Sequence, residues 1–184
     1  NVVWGNGTGA STGYTGDNRH GIYTNSGAHN TLLYNNTLYG NVEGELFLGG
    51  GADRIIAKNK IMYGNGPGYA LRLDSGQTGT VVSNNAIYHT TTARCILNNA
   101  GAGATVENSN IVGQNPFFID EKNANFHLQS GSPAIGKGSV LNEVKVDFNN
   151  VQRNQPNDLG AYAFVSSSLS DTTRPAPPRD VTVY

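Results

Sequence analysis

Short apolar runs recur along the first two thirds of the chain, and turns rich in glycine and asparagine separate them. Four such runs align, and their apolar anchors are spaced by 24, 25 and 25 residues: Ile22, Leu46, Leu71 and Ile96. Each run is followed by glycine at the same place: Gly27, Gly51, Gly76 and Gly101. A fixed period of this length predicts a solenoid of at least four stacked coils.

A second half of the repeat follows each anchor. It contains two apolar columns, one of Leu33, Ala57, Val82 and Val106, the other of Leu38, Met62, Ile87 and Ile111. Beside them stand a tyrosine column and an asparagine column: Tyr39, Tyr63 and Tyr88, then Asn35, Asn59, Asn84 and Asn108. Stacked asparagines can hydrogen-bond from one coil to the next, so we expect a ladder that satisfies buried amides at a bend.

The runs are too short for helices and have the composition of strands. They are four to six residues long and contain Val, Ile, Leu, Thr and Tyr, whereas helical solenoids need ten or more periodic residues per element. Side chains alternate across a strand, so Ile22 and Thr24 are predicted to point inward and Gly21, Tyr23 and Asn25 outward.

Two motifs carry a resemblance to a known fold. The sequence His20-Gly21-Ile22-Tyr23, followed by residues 35–41 (NNTLYGN), is similar to the common coil of the pectate-lyase-like superfamily of right-handed parallel β-helices. The resemblance covers roughly residues 18–115. It implies an all-β parallel β-helix with coils of 24–25 residues over residues 1–115. The superfamily contains lyases, hydrolases, epimerases and non-enzymes, so the fold does not select an activity.

After Asn115 the period ends and a different motif begins. Residues 116–165, with residues 126–136 (FHLQSGSPAIG) and 158–162 (DLGAY), resemble the closing segment of bacterial β-helix proteins. Gly136 and Ala163 depart from it, standing where Asp and Glu are usual. We expect this segment to cap the C-terminal end of the stack, because an open coil is an exposed sheet edge.

Both ends of the chain carry further expectations. Residues 166–178 have the composition of a linker, and residues 179–184 resemble the start of a fibronectin type III-like module downstream; a disordered tail is the alternative. No cap precedes Val2, so we expect upstream coils, a partner chain or a loop to cover the N-terminal end of the stack.

Composition excludes several classes of partner. The net charge is -1 and 14% of residues are charged, which argues against nucleic acid and anionic membranes as main partners. No apolar stretch is long enough to span a membrane, and the single cysteine, Cys95, excludes an internal disulfide. The resemblance implies a secreted or cell-surface bacterial protein.

The outward side of the first strand in each coil is the predicted binding surface. Tyr23, Phe47 and Arg72 share one column, Glu45 lies in the column before it, and Asn25 and Asp74 lie in the column after it. Rings that stack on a sugar, beside groups that bind hydroxyls or a carboxylate, predict a polysaccharide site. The alternative is a structural ladder of rings in which Arg72 pairs with Glu45 or Asp74.

The catalytic possibilities on this surface differ in what they require. A polysaccharide lyase needs a cation and a base, for which Arg72 and His20 are the candidates; Lys58 and Lys60 are expected to face another side. A glycoside hydrolase needs paired carboxylates, but strand geometry places Glu45 and Asp74 roughly 14 Å apart, which is too far. Only Glu43 with Glu45 approaches the inverting separation. The acids are scattered across columns, so calcium is possible but no metal site is predicted.

The sequence therefore supports two hypotheses. The first is a carbohydrate-active β-helix that forms the C-terminal part of a secreted polysaccharide-degrading protein, of lyase type and acting on acidic polysaccharide. The alternative is a non-catalytic module that binds glycans or has a structural role at the cell surface.

Overall fold

Three short strands, joined by tight turns, make up each coil of the chain. The computed structural model describes residues 1–7 and 19–166. Within these residues, thirteen strands form the coils: β1 (Val2–Trp4), β2 (His20–Thr24), β3 (Leu32–Tyr34), β4 (Thr37–Tyr39), β5 (Gly44–Leu48), β6 (Ile56–Lys58), β7 (Ile61–Gly64), β8 (Tyr69–Leu73), β9 (Thr80–Ser83), β10 (Ala86–His89), β11 (Ile96–Asn98), β12 (Ala104–Val106) and β13 (Ile111–Val112). Short 3-10 turns span Thr92–Arg94, Gly101–Gly103 and Glu121–Asn123.

The strands stack into three parallel sheets, which are the three long sides of the solenoid. The first sheet has the order β2-β5-β8-β11, the second β3-β6-β9-β12 and the third β1-β4-β7-β10-β13. Anchors pair as predicted: Ile22 with Leu46, Leu46 with Leu71, and Leu71 with Ile96. The predicted all-β parallel solenoid with coils of 24–25 residues is therefore confirmed.

The interior of the coils is an apolar core. Leu46, Leu71, Ala57, Val82 and Met62 are each 0% exposed. Several of the corresponding residues of the first and last complete coils are only partly buried, among them Ile22, Leu33, Ile96 and Val106, whereas Leu38 is 0% exposed. The core is therefore most completely buried in the two middle coils.

The predicted asparagine column lies at the corner between the second and third sheets but does not form a ladder. Asn35, Asn59 and Asn84 have φ of +48°, +56° and +52°, a left-handed conformation that asparagine tolerates better than most residues. Their side chains bond to the backbone of the closing segment rather than to one another. Asparagine suits this corner because its backbone tolerates the left-handed turn and its side chain bonds to the closing segment.

The ladder exists one residue further along, in an inner column of Asn36, Lys60, Asn85 and Asn110. Oδ1 of Asn85 accepts from the backbone N–H of Lys60 at 2.9 Å, and Oδ1 of Asn110 accepts from that of Asn85 at 3.0 Å. Ile111 pairs with Ala86, so Val112, not Ile111, continues the column of Ile87. The predicted places of Asn108 and Ile111 are wrong by one residue.

The closing segment lies along the third sheet. Its antiparallel strands β14 (Phe118–Asp120) and β15 (Asn125–Leu128) bring two buried rings onto the tyrosine column, with Phe126 5.0 Å from Tyr39 and Phe118 5.9 Å from Tyr63. Leu159, Ala161 and Tyr162 complete this second apolar cluster. The outer face of the third sheet is therefore a second core.

Hydrogen bonds fasten the closing segment to successive coils. Nδ2 of Asn35 donates to the carbonyls of Asp158 and Gly160, and Nδ2 of Asn59 donates to that of Ser139 at 2.8 Å. Val112, in the last coil, remains 45% exposed. We expected the segment at the C-terminal end of the stack, but it covers a long side. The tyrosine rings on the outer face of the third sheet are apolar surface that the segment buries there.

Several expectations fall outside the described residues. The linker after Ser166 and the fibronectin type III-like start at residues 179–184 lie outside them, as do residues 8–18. The proposed division into coils, closing segment, linker and module stays a prediction. Within residues 1–7 and 19–166, no helix has the length and apolar character to cross a membrane.

Candidate functional site

A row of stacked side chains runs along the outside of the first sheet. Register brings Tyr23, Phe47 and Arg72 side by side on β2, β5 and β8. The rings of Tyr23 and Phe47 stack with centroids 4.9 Å apart, and the Arg72 guanidinium lies 4.2 Å from the Phe47 centroid. We call these three residues the outer row. Alternation along the strands thus places them on one surface, as the sequence predicted.

The outer row offers an exposed ring and a paired charge. Tyr23 is 45% exposed, whereas Phe47, held between its two neighbours, is 5% exposed. Nε and Nη2 of Arg72 donate to the two carboxylate oxygens of Asp74 at 3.1 and 3.0 Å. Of the two acids considered as partners for Arg72, the structure selects Asp74.

Glu45 does not contribute to the exposed surface, contrary to its expected role. It is 0% exposed, and Asn41 donates to it through its backbone N–H at 3.0 Å and its Nδ2 at 2.5 Å. A Cβ on Gly21 in the preceding coil would lie 2.8 Å from that Nδ2, so glycine leaves room for Asn41 to cover the acid. Burial raises the pKa of Glu45 to about 8, although the hydrogen bonds from Asn41 oppose it.

His20 packs against the outer row from one end. Its ring centroid lies 4.9 Å from that of Phe47 and 6.0 Å from that of Tyr23, and the residue is 7% exposed. Its Nε2 is 3.9 Å from Oε2 of Glu43, whose Oε1 accepts from Arg19 at 2.7 Å. Burial acts to raise the pKa of Glu43, but the contacts with Arg19 outweigh it and lower the pKa.

Asn25 and the two lysines have other roles. Oδ1 of Asn25 accepts from the backbone N–H of Gly27 at 3.2 Å and so stabilises the turn after β2. Lys58 lies in the second sheet and Lys60 is buried at the corner, where its Nζ donates to the carbonyl of Leu33. Neither lysine joins the outer row, in agreement with the prediction that they face another side.

Two residues beside this surface were missed from the sequence. The Arg94 guanidinium lies 5.8 Å from the Tyr69 ring centroid and donates to the carbonyl of Pro67. Tyr69 pairs with Gly44, and Gly44 pairs with His20, so these three residues form a column two residues before the anchors. Arg94 occupies the same position before the anchor Ile96. The aromatic and basic side chains at this position of the repeat are the signal in the sequence that indicates Tyr69 and Arg94.

The arrangement favours contact with a ligand over acid–base chemistry. Arg19 and Arg72 each pair with a carboxylate, and the remaining acid of the surface, Glu45, is enclosed. Among the described residues, no group of three or more His, Cys, Asp or Glu side chains could hold a metal ion. A stacked ring beside a bidentate ion pair can bind the apolar face and the hydroxyls of a sugar.

Comparison with known proteins supports the fold. A family model described as "Right handed beta helix region" matches residues 5–167. No curated protein and no solved structure matches the chain.

Proposed function

Because the chain belongs to the right-handed β-helix family, whose fold hosts many functions, we propose that its role lies in the outer row and is glycan binding. The observation that carries this proposal is the exposed Tyr23 ring stacked on Phe47 and continued by Arg72. The module is non-catalytic in this proposal, its partner is a polysaccharide, and it acts outside the cell or at the cell surface.

The stack supports binding because it is rigid before the ligand arrives. Phe47 is fixed between Tyr23 and Arg72, and Asp74 fixes the guanidinium plane with two hydrogen bonds. A sugar ring that packs on Tyr23 therefore orders few side chains, which lowers the entropic cost of binding. The Arg72–Asp74 pair still presents donor and acceptor atoms to hydroxyls.

A polysaccharide lyase is the second candidate, and His20 is the observation that favours it. The imidazole is adjacent to the outer row and 3.9 Å from Glu43, an arrangement that suits a base oriented by an acid. Against it, His20 is 7% exposed and the charge of Arg72 is neutralised by Asp74. Binding without catalysis agrees better with these contacts.

Affinity electrophoresis in gels that contain pectin, alginate or a glycosaminoglycan tests the proposal. We expect at least one polysaccharide to retard the protein, and Tyr23→Ala to weaken this retention about ten-fold through loss of the stacking ring. Leu32→Ala is the matched control, because Leu32 is 55% exposed but lies on the second sheet. Equal retention of Tyr23→Ala and wild type would refute a role for the outer row.

The same polysaccharides, followed by ultraviolet absorbance, distinguish the two candidates. Retention without unsaturated products is the result expected for a binding module. If the wild type forms unsaturated products and His20→Ala and Arg72→Lys do not, while retention persists, the lyase is supported and the non-catalytic proposal is wrong.

A further inference from the structure

A groove separates the closing segment from the corner of the first coils. Its volume is about 310 Å³, with Tyr34 and Asn35 on the wall of the coils and Val146 and Phe148 on the wall of the closing segment. Val146 is 43% exposed and Phe148 is 46% exposed. The groove thus presents an apolar surface that includes one accessible aromatic ring.

A smaller cavity of about 130 Å³ continues this groove, since Val144 and Arg153 line both. Its lining is rich in side-chain amides, contributed by Asn142, Gln152, Gln155 and Asn157. We call the two cavities together the closing groove. One end of the closing groove is therefore aromatic, and the other is lined by amides.

Two of the three charged side chains that line the closing groove are hydrogen-bonded to the backbone. Arg153 is 6% exposed, and its Nη2 donates to the carbonyls of Gly160 and Ala161 at 2.9 and 3.0 Å. Asp147 is 8% exposed and accepts from the backbone N–H groups of Val151 and Ala163 at 2.8 and 2.9 Å. A charged ligand would find neither group free, although Lys145 in the smaller cavity is exposed.

A buried acceptor lies in the wall of the closing groove. Asn35 is 3% exposed, and its Oδ1 has no hydrogen-bond donor among the described residues, although its Nδ2 is fully used. A buried acceptor without a partner is costly unless a donor reaches it. Asn35 lines the groove, so a shift of its side chain toward the groove would bring this acceptor within reach of a ligand hydroxyl.

We propose that the closing groove is a binding site for a neutral saccharide. The Phe148 ring packs on the apolar face of a sugar, and the amides donate to and accept from its hydroxyls. We choose the neutral class because the backbone engages Arg153 and Asp147, so that the exposed Lys145 is the remaining charged side chain that lines the closing groove. This site lies at the corner between the second and third sheets, so it is separate from the outer row and does not depend on the proposed function.

Affinity electrophoresis with galactomannan, hydroxyethylcellulose and dextran tests this site. We expect at least one of them to retard the wild type and Phe148→Ala to weaken the retention about ten-fold. Val140→Ala is the control, because Val140 is equally accessible, at 50% exposed, and does not line the groove. Asn142→Ala changes an exposed lining amide, so it tests the groove without affecting the core.

The outcomes separate this site from the outer row. Loss of retention in Phe148→Ala and Asn142→Ala, with Val140→Ala and Tyr23→Ala unchanged, supports the closing groove whether or not the outer row binds glycans. The inference is overturned if no neutral polysaccharide retards the wild type. It is also overturned if Tyr23→Ala abolishes the retention while both groove variants keep it.

Discussion

A buried lysine interrupts the inner asparagine column of the stack. Lys60 is 0% exposed, and its Nζ donates to the carbonyl of Leu33. Burial lowers the pKa of Lys60 well below its usual value. The positions above and below it are Asn36 and Asn85, whose chemistry suits the corner better because amides pair with one another without charge.

We expect Lys60→Asn to stabilise the protein. The new amide can accept from the backbone N–H of Asn36, as Asn85 accepts from that of Lys60, at a gain of about 1 kcal/mol. The thermal midpoint should then rise by roughly 2–4 °C. Lys58→Asn, the same change at a half-buried position, should leave the midpoint nearly unaltered. A lower midpoint for Lys60→Asn than for Lys58→Asn would contradict the expectation.

The enclosed acid predicts a dependence of stability on pH. The pKa of Glu45 is about 8 when folded and about 4.3 when unfolded, so the folded state binds more protons between these values. Stability should therefore fall as pH rises from about 4.5 to about 8, by an amount on the order of 4 kcal/mol, and its Glu45 component should level off above that. Urea unfolding at several pH values measures this change.

Glu45→Gln is the comparison for that experiment. Glutamine keeps the size of the side chain and an acceptor for Asn41 but has no proton to lose in this range. The difference in unfolding free energy between wild type and Glu45→Gln should decrease or reverse in sign as pH rises from about 4.5 to about 8. A difference that stays constant from pH 5 to pH 8 would show that Glu45 is ionised throughout in the folded protein.

At the scale of elements, the closing segment is part of the core rather than an appendage. Phe126 is 1% exposed and contacts the rings of Tyr39, Trp4 and Phe118. Removing this ring would leave a cavity between β15 and the third sheet, and such cavities are costly because packing recovers only in part.

We expect Phe126→Ala to reduce the unfolding free energy by roughly 3–5 kcal/mol. Ile119→Ala, at a residue of β14 that is 53% exposed, should change it by less than about 0.5 kcal/mol. Denaturant unfolding measures both changes. Similar small effects of the two substitutions would mean that the closing segment contributes little to the stability of the stack.

Sequence reasoning succeeded wherever the repeat itself carried the information. The period gives Ile22, Leu46 and Leu71 a common column because strands in a parallel stack keep register over one coil. The last coil was misread because Val106 and Asn110 are four residues apart, whereas Val82 and Asn85 are three apart. Aligning Asn108 with Asn84 because both are asparagine concealed the extra residue of the last coil.

The candidate site was predictable only in part, for a similar reason. Alternation places Tyr23, Phe47 and Arg72 on one surface, but it does not indicate that Asn41 folds over Glu45. The path of the closing segment also depends on contacts between residues far apart in sequence, such as Asn35 with Asp158. Such contacts leave no trace in the period of the repeat.

At the scale of the whole molecule, stability should decrease from the middle of the stack toward its ends. Within the stack, each coil pairs only with the coils next to it, and the anchors Leu46 and Leu71 are fully buried whereas Ile22 and Ile96 are partly exposed. Amide hydrogen exchange should be slowest in β5 to β10 and faster in β2, β3, β11 and β12. Uniform protection across all coils would indicate that the stack opens only as a single unit.

The bonds from the corner asparagines to the closing segment have a mechanical consequence. Successive coils lie about 4.8 Å apart, and Asn35, Asn59 and Asn84 each bond to the same segment from a different coil. The segment therefore holds successive coils together along the long axis of the solenoid. A shear of one coil against the next, or a bend away from the third sheet, must break these fastenings as well as the ladder between strands.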